Sequence, residues 1–266
     1  MKAMKLYDRV ERIHNELALL EIDGTTPLTV EQLTPFDQYH YFGTEAVDEA
    51  IVALGLSPGM RVLDIGSGIG GPARYIAARS GARVTALELQ PDLDELATDL
   101  TQRCGLAHLV EHRCGDVLDG LDETYDAVVS FLCFLHIADL NRLLAACRDA
   151  LTAGGGMYIE DFAKRREPTR AEAAALEIKV QCPPLPSPDD YTEQLRAAGF
   201  TDLHIEDVTS QWGAFTAGRL EEFRASRARN IAVHGLDIVD GLDDFYGTVA
   251  RLFETGVITG LKILAR

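Results

Sequence analysis

Apolar residues recur along this chain with two periods, and the periods alternate. From Lys5 to Ile22 the spacing is helical: Leu6, Val10, Ile13, Leu17 and Leu20 share a face, and Gly24 follows as a stop. Short apolar runs then trade places with helical stretches. The spacing predicts a strand over 61–66 (RVLDIG), a helix over 71–80 with Pro72 in its first turn, and a strand over 83–89 (RVTALEL). It predicts a second helix ending at Gly105, a third strand in HLVEHRCGD and a fourth over 125–132 (YDAVVSFL). DLNRLLAACRDAL reads as a helix, TAGGG as a turn and MYIEDF (157–162) as a fifth strand. Alternation of this kind specifies an α/β chain: a parallel sheet with helices on both faces.

From Ala163 to Asp190 the pattern breaks. An Ala/Glu-rich helix runs into CPPLPSP, whose prolines forbid regular structure, so 163–190 reads as a cap. A helix (YTEQLRAAGF), a strand (DLHIEDV), a helical stretch over 216–254 and a last strand (VITGLKILAR) complete the chain. The expected organisation is an N-terminal helix and lid (1–45), a ligand-binding core (46–162), the cap (163–190) and a C-terminal part of the core (191–266).

Composition narrows the function. The chain has 266 residues, 47% of them hydrophobic, enough for one large domain with an embedded cap. A net charge of -17 argues against nucleic acid and against anionic membranes. No apolar stretch reaches a membrane span, and the charged N-terminus lacks a signal peptide's apolar core, so a cytoplasmic location is expected. Five cysteines without a CxxC pair read as reduced thiols, with no metal site. The 4-3-4-3 apolar spacing of the first helix would suit a homodimer seam, although packing on its own domain is the commoner use.

The candidate chemistry lies in DIGSGIGG. Gly66, Gly68 and Gly70 allow a tight strand-to-helix turn and let a ligand approach the backbone at a helix N-terminus. Gly66, Gly68 and Gly71 also satisfy GxGxxG, and Glu88 stands where an acid binds ribose hydroxyls, so an NAD(P)-dependent oxidoreductase must be weighed. Three features oppose it. Asp64 precedes the loop where a dinucleotide strand is apolar, Asp116 closes the third strand within reach of an adenine, and no catalytic Lys/Tyr constellation is evident.

The ordered set Asp64-x-Gly66-x-Gly68-x-Gly70, Glu88 and Asp116 resembles the class I S-adenosylmethionine (SAM)-dependent methyltransferases, over roughly residues 36 to 210. The resemblance implies a Rossmann-like seven-stranded sheet of order 3-2-1-4-5-7-6 with strand 7 antiparallel. It implies SAM as cofactor, S-adenosylhomocysteine as product, and cofactor contacts from Gln38, Tyr39, Asp64, Gly66, Ser67, Gly68, Gly70, Glu88, Leu89, Asp116, Val117, Ser130 and Phe131. Within the family, QYHYFG (38–43) is similar to the Q-Y-x-x-x-G segment of phosphoethanolamine and sarcosine/dimethylglycine N-methyltransferases. In that group the Tyr pairs with a His after strand four, which makes Tyr39 and His136 the implied catalytic residues, His136 as base. His40 reads as structural or as a partner behind the site, and Tyr41 and Phe42 as packing.

The implied acceptor is a small enclosed molecule, most simply an amine or amino-acid-like compound methylated on nitrogen. O- or C-methylation of a secondary metabolite remains open, as does cofactor binding without turnover. Glu160 and Asp161 at the end of strand five would suit a cationic acceptor or a structural salt bridge equally. The cluster Arg219, Arg224, Arg227 and Arg229 would either hold an acceptor anion or pair with Glu221 and Glu222 along its helix.

Overall fold

The computed structural model describes residues 10–266. Leu6 and the beginning of the expected first helix lie outside the described residues; the described part is α1 (Glu11–Leu19), with Ile13 and Leu17 buried. Two helices follow that periodicity alone did not reveal, α2 (Val30–Asp37) and α3 (Thr44–Leu54). A legible signal for α2 exists: Thr29 and Gln32 form a reciprocal capping box.

The alternation then appears as expected: β1 (Arg61–Ile65), α4 (Gly71–Ser80), β2 (Arg83–Glu88), α5 (Pro91–Arg103), β3 (Val110–Cys114), β4 (Tyr125–Phe131), α6 (Leu140–Ala150) and β5 (Leu151–Lys164). β5 begins earlier than MYIEDF. Tyr125 faces Leu151 but Ala127 faces Gly156, so TAGGG is a bulged extension of the strand rather than a turn. The segment expected as a cap (163–190) runs from the last residues of β5 through the short helix α7 (Arg170–Ala175) and a π-helical turn (Leu176–Val180) to the start of α8 (Pro188–Ala197). Then come β6 (Leu203–Asp207), three helices α9 (Thr209–Ala225), α10 (Arg227–His234) and α11 (Leu236–Glu254), and β7 (Ile258–Ala265).

The seven strands order as β3-β2-β1-β4-β5-β7-β6. The first five are parallel, and β7 is antiparallel to both neighbours. Helices cover both faces. Ala46, Val47, Ala50, Ala73, Ile76 and Ala77 of α3 and α4 pack on one. Leu143, Leu144, Cys147, Tyr191 and Leu195 of α6 and α8 pack on the other. Two-sided cover explains why the central strands are apolar without alternation. Each fully buried aliphatic side chain adds about 1.5–3 kcal/mol. A third cluster joins Tyr41, Phe162, Leu176, Val180, Trp212 and Phe253, tying residues 38–43 and 163–190 to α9 and α11. Among the described residues no helix is long and apolar enough to cross a membrane.

Candidate active site

β1 ends in the glycine loop because its backbone must turn left-handed: φ is +73° at Gly66, +55° at Gly68 and +77° at Gly70. At Gly66 the second requirement is space, since a Cβ there would sit 2.2 Å from Cys133 Sγ. At Gly68 a Cβ would meet nothing within 4 Å; it would enter the open space in front of the loop. The Gly66 and Ser67 amides donate to the Leu87 carbonyl (2.9 and 3.1 Å), so the loop is clamped to the end of β2.

Glu88 ends β2. Its Oε2 accepts from the Gly68 amide (2.9 Å) and its Oε1 from the Gln90 amide (3.0 Å). Burial nevertheless raises its pKa above the usual carboxylate range. Asp64 is buried behind the loop. Burial, with the nearby Glu88 charge, pushes it up to about 7. Its Oδ2 has no hydrogen-bond partner among the described residues. Asp116 follows β3 and caps the 3-10 turn Val117–Asp119, accepting from the Leu118 amide at 2.9 Å.

These groups line a cavity of about 330 Å³ at the carboxyl edge of the sheet. It brings together Tyr39, Asp64, Gly66, Ser67, Gly68, Glu88, Leu89, Asp116, Val117, Phe131 and His136 from the expected set. The structure puts three expected residues off this wall. Gly70 backs onto His112 and Arg74. Ser130 is buried and donates to the Ile65 carbonyl (2.9 Å). Gln38 donates to Asp37 Oδ1 (2.8 Å) and lines a second cavity instead.

That second cavity, about 500 Å³, adjoins the first through Tyr39, His40, Leu132 and His136, which line both. His136 closes a 3-10 turn (Phe134–His136), and its Nδ1 lies 3.2 Å from the Gln181 carbonyl. A carbonyl only accepts, so Nδ1 carries the proton and Nε2 is the basic nitrogen of the neutral ring. Burial lowers its pKa to about 4. Gln181 itself is left-handed (φ +54°) at the end of the π-helical turn, an arrangement with no sequence signal. Tyr39 is also deeply enclosed, and its hydroxyl is raised to about 12. His40 serves as a strut: its Nε2 donates to the Gly43 carbonyl (2.9 Å), and its ring packs 4.8 Å from that of Phe131. Asp37, which ends α2 immediately before Gln38, was invisible to spacing arguments; it forms a buried ion pair with Arg74 (2.9 Å) beneath this segment.

The strand-five carboxylates line neither of these two cavities. Glu160 turns to Tyr158 Oη (3.3 Å) and Lys262 Nζ (3.9 Å). Asp161 accepts from the Leu135 amide (3.0 Å) and from Tyr191 Oη (3.1 Å), which braces the turn carrying His136. Both lie inside layers packed on β5, away from the two cavities. The arginine cluster divides. Arg224 pairs with Asp243, Arg227 with Asp240 and Arg229 with Glu16, rather than with Glu221 or Glu222. Arg219 points into the second cavity.

The geometry fits an adenosyl ligand. The cleft holds an open glycine backbone, an acid at the end of β2 and an acid after β3. Comparison with known proteins agrees. A methyltransferase-domain family model matches residues 39–205. The glycine/sarcosine/dimethylglycine N-methyltransferase of Actinopolyspora halophila is 30% identical over 66% of this chain and 32% of its own length. Phosphoethanolamine N-methyltransferase 1 of Zea mays is 31% identical over 83% of this chain and 41% of its own. This chain thus spans well under half the length of either relative. Among solved structures, Haemonchus contortus phosphoethanolamine N-methyltransferase 2, in complex with phosphomonomethylethanolamine and S-adenosylhomocysteine, superposes with a TM-score of 0.75 at 21% identity, covering 84% of this chain and 52% of that one. The chain belongs to the family of SAM-dependent methyltransferase domains.

Proposed function

We propose that this chain methylates a small enclosed acceptor on nitrogen, with SAM in the glycine-loop cavity, the acceptor in the adjoining cavity and His136 as base. The observation that carries the reading is the position of Tyr39 and His136 on the shared wall of both cavities. The names of two relatives, both N-methyltransferases, support the choice of nitrogen.

The cofactor would be held by the backbone of Gly66–Gly68 and by Glu88, Asp116 and Val117, and when bound it supplies an electrophilic methyl group. What the chain must add is alignment, exclusion of water and an acceptor with a lone pair. Burial that lowers His136 to about 4 also disfavours an ammonium in the same space, so ring and amine are both driven to their neutral forms. The Gln181 carbonyl holds Nδ1–H, which makes Nε2 the ring nitrogen that would accept the proton. Tyr39, protonated at all working pH values, orients by hydrogen bonding rather than by charge.

His136→Ala should lower turnover by about 100-fold or more while S-adenosylhomocysteine affinity changes less than about twofold. Retained turnover overturns the base assignment. Methyl-labelled SAM offered with a pool of amines, phenols and amino acids, read by mass spectrometry, tests the acceptor atom: label on oxygen or carbon overturns the choice of nitrogen.

A further inference from the structure

The second cavity is larger than a few-carbon amino acid requires, and its walls are aromatic. Tyr39, Tyr41, Phe215, Phe245 and Tyr246 all contribute rings. Arg219 enters among them from α9, one turn beyond Phe215. Its guanidinium carbon lies 4.4 Å from the Tyr246 centroid, 5.0 Å from Tyr41 and 5.5 Å from Phe215. Its Nε is buried and has no hydrogen-bond partner among the described residues.

Charge on this wall is uneven. Lys179 is paired with Asp244, and Glu16 with Arg229 and His234. Arg219 and Arg12 have no carboxylate partner among the described residues, though both line the cavity. Arg12 lies 6.0 Å from the Tyr39 ring, and its Nε is likewise buried and unbonded. In a chain of net charge -17 with carboxylates for its other α9–α10 arginines, two unneutralised guanidiniums facing one cavity make a site for an anion. The three rings around Arg219 restrict its guanidinium, whose planar fork favours an oxyanion such as a carboxylate or phosphate.

Resting on the proposed function, we infer that the acceptor joins a flat aromatic or apolar body to an anionic group: the rings bracket the body, and Arg219, with Arg12, holds the anion. β5 aims no carboxylate into this cavity, and the carboxylate that does line it, Glu16, is taken up by Arg229 and His234, which fits the same chemistry.

The test is calorimetric titration of protein saturated with S-adenosylhomocysteine. The probes are 4-aminobenzoate, 4-aminobenzamide, 4-aminophenyl phosphate and sarcosine. The aromatic anions should bind at least about 10-fold tighter than the neutral amide and than sarcosine. Arg219→Gln should remove the preference of anion over amide, Arg219→Lys should keep part of it, and cofactor affinity should stay constant in both. The phosphate and carboxylate arms decide which oxyanion the fork takes. Equal binding of acid and amide, equal binding of sarcosine, or unchanged selectivity in Arg219→Gln overturns the inference while the cofactor site stands. Failure of S-adenosylhomocysteine to bind overturns the parent reading and this one together.

Discussion

The segment carrying Tyr39 is anchored by one buried charge pair, and removing half of it should loosen both fold and site. Asp37 and Arg74 are 2.9 Å apart with both side chains at 0% exposure. At an effective dielectric of ~20, unit charges at that distance attract by about 6 kcal/mol, which largely offsets the desolvation of the pair. Asp37→Ala leaves the Arg74 guanidinium buried with only long contacts to Ala97 O (3.4 Å) and Thr101 Oγ1 (3.3 Å). The cost should be about 3–5 kcal/mol. The double variant Asp37→Leu/Arg74→Met removes both charges and should recover much of the loss. Urea unfolding followed by fluorescence of the single tryptophan, the buried Trp212, measures both. S-adenosylhomocysteine affinity should fall in Asp37→Ala, because Gln38, the residue before Tyr39, loses its anchor at Asp37 Oδ1. A loss below about 1 kcal/mol, or a double variant no better than the sum of the singles, refutes the claim that the pair is desolvated and coupled.

Two further predictions separate folding from binding. Gly66→Ala places a methyl 2.2 Å from Cys133 Sγ at φ +73° and should cost about 2 kcal/mol or more of stability. Gly68→Ala meets no protein atom within 4 Å, so thermal unfolding should shift by only about 1 kcal/mol while cofactor affinity falls about 10-fold. Asp64 is raised to about 7, so the folded state binds its proton more tightly than the unfolded chain does; its stabilising contribution is complete below pH ~4 and lost as pH rises through about 7. Asp64→Asn should therefore be stabilising by a gain that grows from roughly 1–2 kcal/mol at pH 5 to on the order of 4 kcal/mol at pH 8.5, while weakening cofactor binding. His40, His112 and His136, lowered to about 4, act oppositely: their contribution is complete above pH ~6.5 and lost as pH falls toward 4. Unfolding free energies of wild type and Asp64→Asn across pH 4.5–8.5 check the sign, and a variant gain that grows toward low pH sinks it.

By itself the sequence determined the alternating β1–β5 core, the glycine turn, and Asp64, Glu88 and Asp116 at the strand ends. These are legible because they rest on local rules: period two against period 3.6, glycine where φ is positive, acids at fixed offsets. The strand order came from motif resemblance, since nothing in the local pattern of VITGLKILAR says that β7 inserts between β5 and β6. Only tertiary structure decided which charges serve the site. Arg219 and Arg224 look alike in GRLEEFRASRARN, yet one stacks in a ring-lined cavity and the other bonds Asp243, because α9 turns one face to α11's aromatics and another to its aspartates. Glu160 and Asp161 read as a cation site until Lys262, Tyr158, Tyr191 and the Leu135 amide, all distant in sequence, claim them. A side chain's chemistry belongs to its residue type, but its partners are set by contacts between elements, and those are made only when the chain closes on itself.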